Sequence, residues 1–97
     1  MKVTLADSAV RDLEDIVAYY NEQGVPKVGA DLIAAILDRI ETLSDHPDIG
    51  RIVPEFENTL LREIIHAPFR IVYRRDPDRV RVARIWRSER LLQLPRD

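Results

Sequence analysis

The chain contains no cysteine, which excludes disulfide frameworks and thiolate chemistry. Its histidines are His46 and His66 alone, and two imidazoles without a thiol fall short of the three or four protein ligands of a zinc site. Neither a metal nor another cofactor is therefore expected. No stretch approaches the ~20 apolar residues of a membrane-spanning helix. The opening residues, MKVTLADSAVRDLED, carry acids where a signal peptide has an apolar core. The expected compartment is the cytoplasm, without membrane contact. Lysine is missing from the second half: all 11 cations of residues 51–97 are arginine, whose planar fork suits carboxylate and phosphate.

What is present is the material of one small domain over residues 1–97. With 45% hydrophobic and 33% charged residues in 97 positions, the composition is globular and not disordered. A core of this size leaves room for a partner to add stability. The formal net charge of -2 conceals a division. Residues 1–50 hold 4 basic and 10 acidic side chains (net -6) and residues 51–97 hold 11 and 7 (net +4). Either the second half builds a functional basic face or its arginines are ordinary exposed charge.

Hydrophobic periodicity divides the chain in the same place. Residues 2–6 alternate weakly and suit a short strand. Asp7 or Ser8 then supplies an N-cap oxygen for a helix whose Ala9, Leu13, Ile16, Val17 and Tyr20 share one face, ending near Gly24. Pro26 suits the first turn of a second helix with Ile33, Ile36, Leu37, Ile40 and Leu43 in one stripe, before a turn at His46, Pro47 and Asp48. Strand-like runs follow at 60–67, 69–75 and 79–86, the first two separated by Pro68 and the last two by an Asp-Pro-Asp turn at 76–78. The pattern predicts an α+β fold, β-α-α-β-β-β, in which an αα-hairpin packs on a mainly antiparallel sheet, with a short tail around Leu91 to Leu94. No repeat or internal linker is visible.

A sheet covered on one side leaves its other side to water or a partner. Strict alternation places Phe69, Ile71 and Tyr73 on one face and Arg70, Val72 and Arg74 on the other. In the last run Arg81, Ala83, Ile85 and Arg87 oppose Val80, Val82, Arg84 and Trp86. If the more apolar set faces the helices, the open face carries arginines with Val72, Ala83 and Ile85, an apolar strip rimmed by cations and suited to an acidic-flanked peptide. This register sends Arg84 towards the helices, where it needs a carboxylate from the acidic first half. Trp86 reads as core.

Five segments in order, LADSAVRDLEDIVAYY, HPDIGRIVPE, LLREI, FRIVYRR and VRVARIWRSERLL, resemble the RelE/ParE superfamily of bacterial toxins over nearly the whole chain. The shared marks are an Asp-Leu in the first helix, a His-Pro-x-x-Gly-Arg turn, an Arg-Glu strand, an Arg-Ile-x-Tyr strand and a basic end to the last strand. The resemblance implies the toxin of a type II toxin-antitoxin module of the plasmid-stabilisation type. Such a toxin is neutralised by a co-expressed, ParD-like or related antitoxin, which also supplies the contact to operator DNA. The superfamily carries two activities. RelE-like members cleave mRNA on the ribosome, whereas ParE-like members poison DNA gyrase and are not nucleases, so the fold by itself does not choose.

Cleavage through the 2'-hydroxyl needs a proton acceptor, cations on the crowded phosphate and a proton donor. Arginine fills only the cationic role. The RelE-like pattern often has His, Lys or Tyr at the end of the last strand, and here that neighbourhood is Trp86, Arg87, Ser88, Glu89 and Arg90. A nuclease would have to be assembled from Arg62, Arg70 and Arg87 on phosphate, Glu89 or Glu63 as base, and Tyr73 or His66 as acid. The bland reading makes Tyr73 a core ring with a wet hydroxyl, His66 a strand-end residue, Glu63 a surface ion-pair partner and Arg90 a tail anchor. The ParE-like reading expects no catalytic set. It expects antitoxin contacts along Arg70, Val72, Arg74, Arg81, Ala83, Ile85, Arg87 and Arg90, and a gyrase-facing surface by analogy at Arg87 to Leu94. A third reading is a non-toxic, antitoxin-binding co-regulator.

Overall fold

The computed structural model describes residues 1–56 and 60–87. Strand β1 (Lys2–Leu5) leads into helices α1 (Asp7–Glu22) and α2 (Pro26–Glu41), a 3-10 turn at Thr42–Ser44, and strands β2 (Arg51–Ile52), β3 (Leu61–His66), β4 (Phe69–Arg75) and β5 (Arg79–Arg87). The five strands form one sheet in the order β1-β5-β4-β3-β2, with β1 parallel to β5 and the remaining pairs antiparallel. The expected α+β arrangement is present, and the two-residue β2 extends it by one strand.

Both helices form where the apolar spacing places them. The chain turns between them at Gly24, whose φ of 76° lies in the left-handed region that glycine enters without a Cβ penalty. Pro26 opens α2, where its missing N–H removes no helical bond. Gly29 then lets the helices close on each other, since a Cβ there would stand 2.9 Å from Tyr20 Cβ. The N-cap of α1 differs from expectation. Ala6, which has no side-chain oxygen, occupies it without a side-chain cap bond, and the Ser8 hydroxyl, one residue inside the helix, donates to the Ala83 carbonyl at 2.7 Å.

The core lies between the hairpin and one sheet face. Ala9, Ile16, Ile36, Ile40 and Leu43 meet Ile64, Phe69, Ile71, Tyr73, Val80, Val82 and Ile85. Val17 and Leu37, at the margins of their stripes, stay exposed.

Ile85 corrects the alternation read from the sequence. In β4, Tyr73 pairs with Val82 but the adjacent Val72 pairs with Arg84, so β5 carries one extra residue, Ala83. A bulge of this kind reverses inward and outward positions beyond it. Val80 and Val82 face the core before the bulge, and Ile85, opposite Ile71, faces it afterwards. Trp86 is half-buried rather than core, with the Arg84 guanidinium 5.0 Å from its ring centre.

Candidate functional site

Alternation puts Arg70 of β4 and Glu63 of β3 on the sheet face away from the helices, and both are buried. A buried charge is tolerated only when paired and hydrogen-bonded. Arg70 Nε donates to Glu63 Oε1 at 2.6 Å, while its two terminal nitrogens hold both oxygens of Glu55 at 2.8 Å. The other Glu63 oxygen accepts from Arg51 Nε at 2.6 Å. Two carboxylates and two guanidiniums thus close a neutral network, and Glu55 ties the segment after β2 to the sheet. The Arg70 hydrogen bonds hold the Glu55 carboxyl below the usual glutamate range. The same carboxylates push the Arg70 pKa upward, against the effect of burial.

A second polar cluster fastens the His-Pro-Asp-Ile-Gly turn to the other side. The Tyr73 hydroxyl accepts the Gly50 N–H at 3.0 Å and donates to the Pro47 carbonyl at 2.8 Å. Arg62 Nη1 donates to the Gly50 carbonyl at 2.9 Å. Its Nε has no hydrogen-bond partner and lies 3.9 Å from Asp48. Arg75 Nε donates to Asp48 at 2.8 Å, and that bond lowers the Asp48 pKa. Burial raises the Tyr73 pKa.

The third cluster joins α1 to β5. The bulge turns Arg84 to the face of Val72 and not towards the helices as strict alternation had it, yet a carboxylate of α1 still meets it, with Nε and Nη2 donating to Asp12 at 2.8 and 3.1 Å. Asp12 Oδ2 also accepts the Ile85 N–H at 2.8 Å. Pairing of β1 with β5 ends at Leu5 and Val82, so α1 flanks the last residues of β5 where a strand would otherwise continue.

These positions separate the residues a nuclease would need. Arg62 and Tyr73 sit together at the turn, with the Tyr73 ring fully buried and its hydroxyl bonded rather than wet. Arg70 lies on the opposite face with Glu63, which is a buried partner and not a surface one. Arg87 pairs across from Phe69 at the far end of β5. Its guanidinium lies 5.5 Å from the Phe69 ring centre and 6.0 Å from that of Tyr19. His66 is a half-buried strand-end residue opposite Phe69. Glu89, Arg90 and the tail at Leu91 to Leu94 lie outside the described residues.

Of the expected partner-binding positions, Arg74 and Arg81 are exposed and Ala83 is half-buried at the bulge. Arg70, Val72 and Ile85 are buried, so they offer almost no surface. The sequence reading missed Ser8, Asp12, Asp48, Gly50, Arg51 and Glu55 as network members. Two signals pointed to some of them: the Asp-Leu of the first helix contains Asp12, and the His-Pro-x-x-Gly-Arg turn contains Gly50 and Arg51.

Among the described residues, no group of three or more His, Cys, Asp or Glu side chains is placed to hold a metal ion. No helix among them is long and apolar enough to cross a membrane.

A helical hairpin on a five-stranded mixed sheet is shared with solved toxin-antitoxin structures. A chain of the chromosomal ParDE system of P. aeruginosa superposes with a TM-score of 0.76 at 21% identity, over 90% of this chain and 95% of that one. A chain of the RelBE2 toxin-antitoxin complex of Mycobacterium tuberculosis gives 0.65 at 21% identity, over 89% and 95%. No curated protein sequence matches the chain significantly. The fold is that of the type II toxins of the RelE/ParE superfamily. The family model for the ParE toxin of the type II toxin-antitoxin system parDE matches residues 3–92, and the chain belongs to that family.

Proposed function

We propose that this toxin poisons DNA gyrase and is held inactive by a co-expressed ParD-like antitoxin. The observation that carries this reading is the occupation of seven of the nine arginines on the strands by the chain's own carboxylates. Arg51, Arg62, Arg70, Arg74, Arg75, Arg79 and Arg84 each lie within 4.0 Å of an Asp or Glu oxygen. An RNA backbone would have to displace those carboxylates before it gained the cations, and Tyr73, the candidate acid nearest to them, is buried. A protein target needs neither a free cation cluster nor a proton-transfer pair. Membership of the ParE family supports the same side of the choice.

In this reading the antitoxin contacts the open side of β4 and β5 through Arg74, Arg81 and Ala83, crosses to Arg87 on the helix side and to Arg90 beyond it, and bridges operator DNA to the toxin. The gyrase-facing surface is Arg87 to Leu94. The test begins with inducible expression of the chain without the neighbouring antitoxin gene. Expected are growth arrest, filamentation and a DNA damage response while translation continues. Purified toxin should also raise the yield of gyrase-cleaved plasmid, and antitoxin should suppress it. Rapid loss of translation, with ribosome-dependent mRNA cleavage by the purified chain, overturns the gyrase reading in favour of a RelE-like endoribonuclease. Soluble expression without any phenotype identifies a binding co-regulator.

A further inference from the structure

The open face of the sheet carries spare positive charge at one end. Val3, Leu5, Val80 and Val82 turn to the helices, so Lys2 and Thr4 of β1 and Arg79 and Arg81 of β5 turn the other way. The register sets Lys2 beside Arg79, Thr4 beside Arg81, and Arg81 beside Arg74 of β4. Like charges directly opposite on neighbouring strands repel, and the adjoining turn relieves only part of this. Asp76 bonds Arg74 at 2.7 Å and lies 3.8 Å from Arg79, and Asp78 of the same turn is exposed. Lys2 and Arg81 are exposed and have no ion-pair partner among the described residues.

What binds at this end has to bind charge. None of the exposed large apolar side chains lies on β1, β4 or β5, so a protein surface finds no apolar anchor here. The cations span three adjacent strands, about 10 Å, which corresponds to three phosphates along one strand of B-DNA at ~3.4 Å of helix axis each. Contacts of this kind hold a duplex in place without reading its bases.

We propose that Lys2, Arg79 and Arg81, with Arg74, seat backbone phosphates of the duplex that gyrase holds cleaved, so that the toxin touches the DNA as well as the enzyme. The proposal rests on the gyrase reading above and adds the nucleic acid to it as a second contact. An antitoxin lying over Arg74 and Arg81 covers half of the same cations, so antitoxin and DNA exclude each other on this face.

The experiment titrates the whole toxin, without antitoxin, into gyrase and supercoiled plasmid at several salt concentrations, using Lys2→Glu, Arg81→Glu and Lys27→Glu. All three change exposed side chains, and unchanged thermal midpoints confirm folding. Lys2→Glu and Arg81→Glu should each raise the toxin concentration for half-maximal plasmid cleavage about tenfold and make it less dependent on salt. Lys27→Glu, the same change at a lysine on α2, should leave both unchanged. Thr4→Cys, unique in a chain without cysteine, then carries a photoreactive aryl azide on the strand between these cations and should crosslink to the cleaved DNA. Wild-type potency in both Lys2→Glu and Arg81→Glu, or a crosslink to a gyrase subunit alone, overturns the DNA contact and leaves the gyrase reading standing. Wild-type potency together with about tenfold weaker antitoxin binding by calorimetry assigns the cations to the antitoxin instead. Failure of the unsubstituted chain to raise plasmid cleavage by gyrase overturns both.

Discussion

Arg70 Nε donates to Glu63 Oε1 at 2.6 Å across adjacent strands, with 4% of the Arg70 side chain and none of the Glu63 side chain exposed. Removal of one partner leaves an uncompensated charge in the sheet. Glu63→Ala or Arg70→Ala should each destabilise the chain by about 3–5 kcal/mol, read from denaturant unfolding. A well-packed apolar pair at both positions should restore most of that loss. Near-wild-type stability in either single variant would disprove the buried pairing.

The Glu55 carboxyl titrates below its ordinary value of 4.5 because Arg70 holds its charged form. Its pairing therefore stabilises the fold fully above that ordinary value and is lost as pH falls through the lower folded one. Glu55→Gln should flatten the acid limb of the stability curve below about pH 4.5 and lower stability at neutral pH. Unfolding curves from pH 2 upward, about the lowest practical range, provide the check. An acid limb as steep as that of the wild type argues against the Glu55 bond.

Tyr73→Phe removes the hydroxyl between Gly50 and Pro47 and leaves a buried donor and acceptor unsatisfied, at a cost of about 1–3 kcal/mol. Toxicity at low temperature should survive, because the hydroxyl serves the turn and not a proton transfer. Loss of toxicity in a stably folded Tyr73→Phe protein would return Tyr73 to a catalytic role.

Gly50 has no room for a side chain. A Cβ there would stand 2.6 Å from the Tyr73 hydroxyl and 2.7 Å from the Glu63 carbonyl oxygen. Gly50→Ala should cost about 1–3 kcal/mol as overpacking, measured by thermal melt. The Tyr73→Phe background should relieve only part of it, since the backbone contact persists.

Asp12 gives a residue-level readout. In Asp12→Ala the Ile85 amide loses its acceptor, and its hydrogen exchange should accelerate strongly relative to the Val82 amide. Asp12→Asn keeps an oxygen acceptor and should show a smaller change. Equal protection of Ile85 in all three proteins would show that α1 does not close this edge.

Much of the fold is determined locally and is therefore legible in the sequence. The stripes Ala9, Leu13, Ile16 and Tyr20, and Ile33, Ile36 and Ile40, obey the helical period by themselves. Gly24, Pro26 and the turn at 76–78 act through their own backbone preferences, and FRIVYRR spans β4 as read. The need of Arg84 for a carboxylate from the acidic half was legible too, although strict alternation sent it against the helices and the bulge sets it on the face of Val72. What only the tertiary structure decided depends on contacts between distant residues. The bulge at Ala83 arises from the pairing of β5 with β4, leaves no mark in the strand's own alternation, and moves Ile85 from the open face to the core. The occupation of Arg70 by Glu55 and Glu63 needs three separate segments to meet, so its sequence reads as free positive charge. The α1 side chains that close the end of β5 do so because β1 stops at Leu5, a boundary that neither element carries in its own residues.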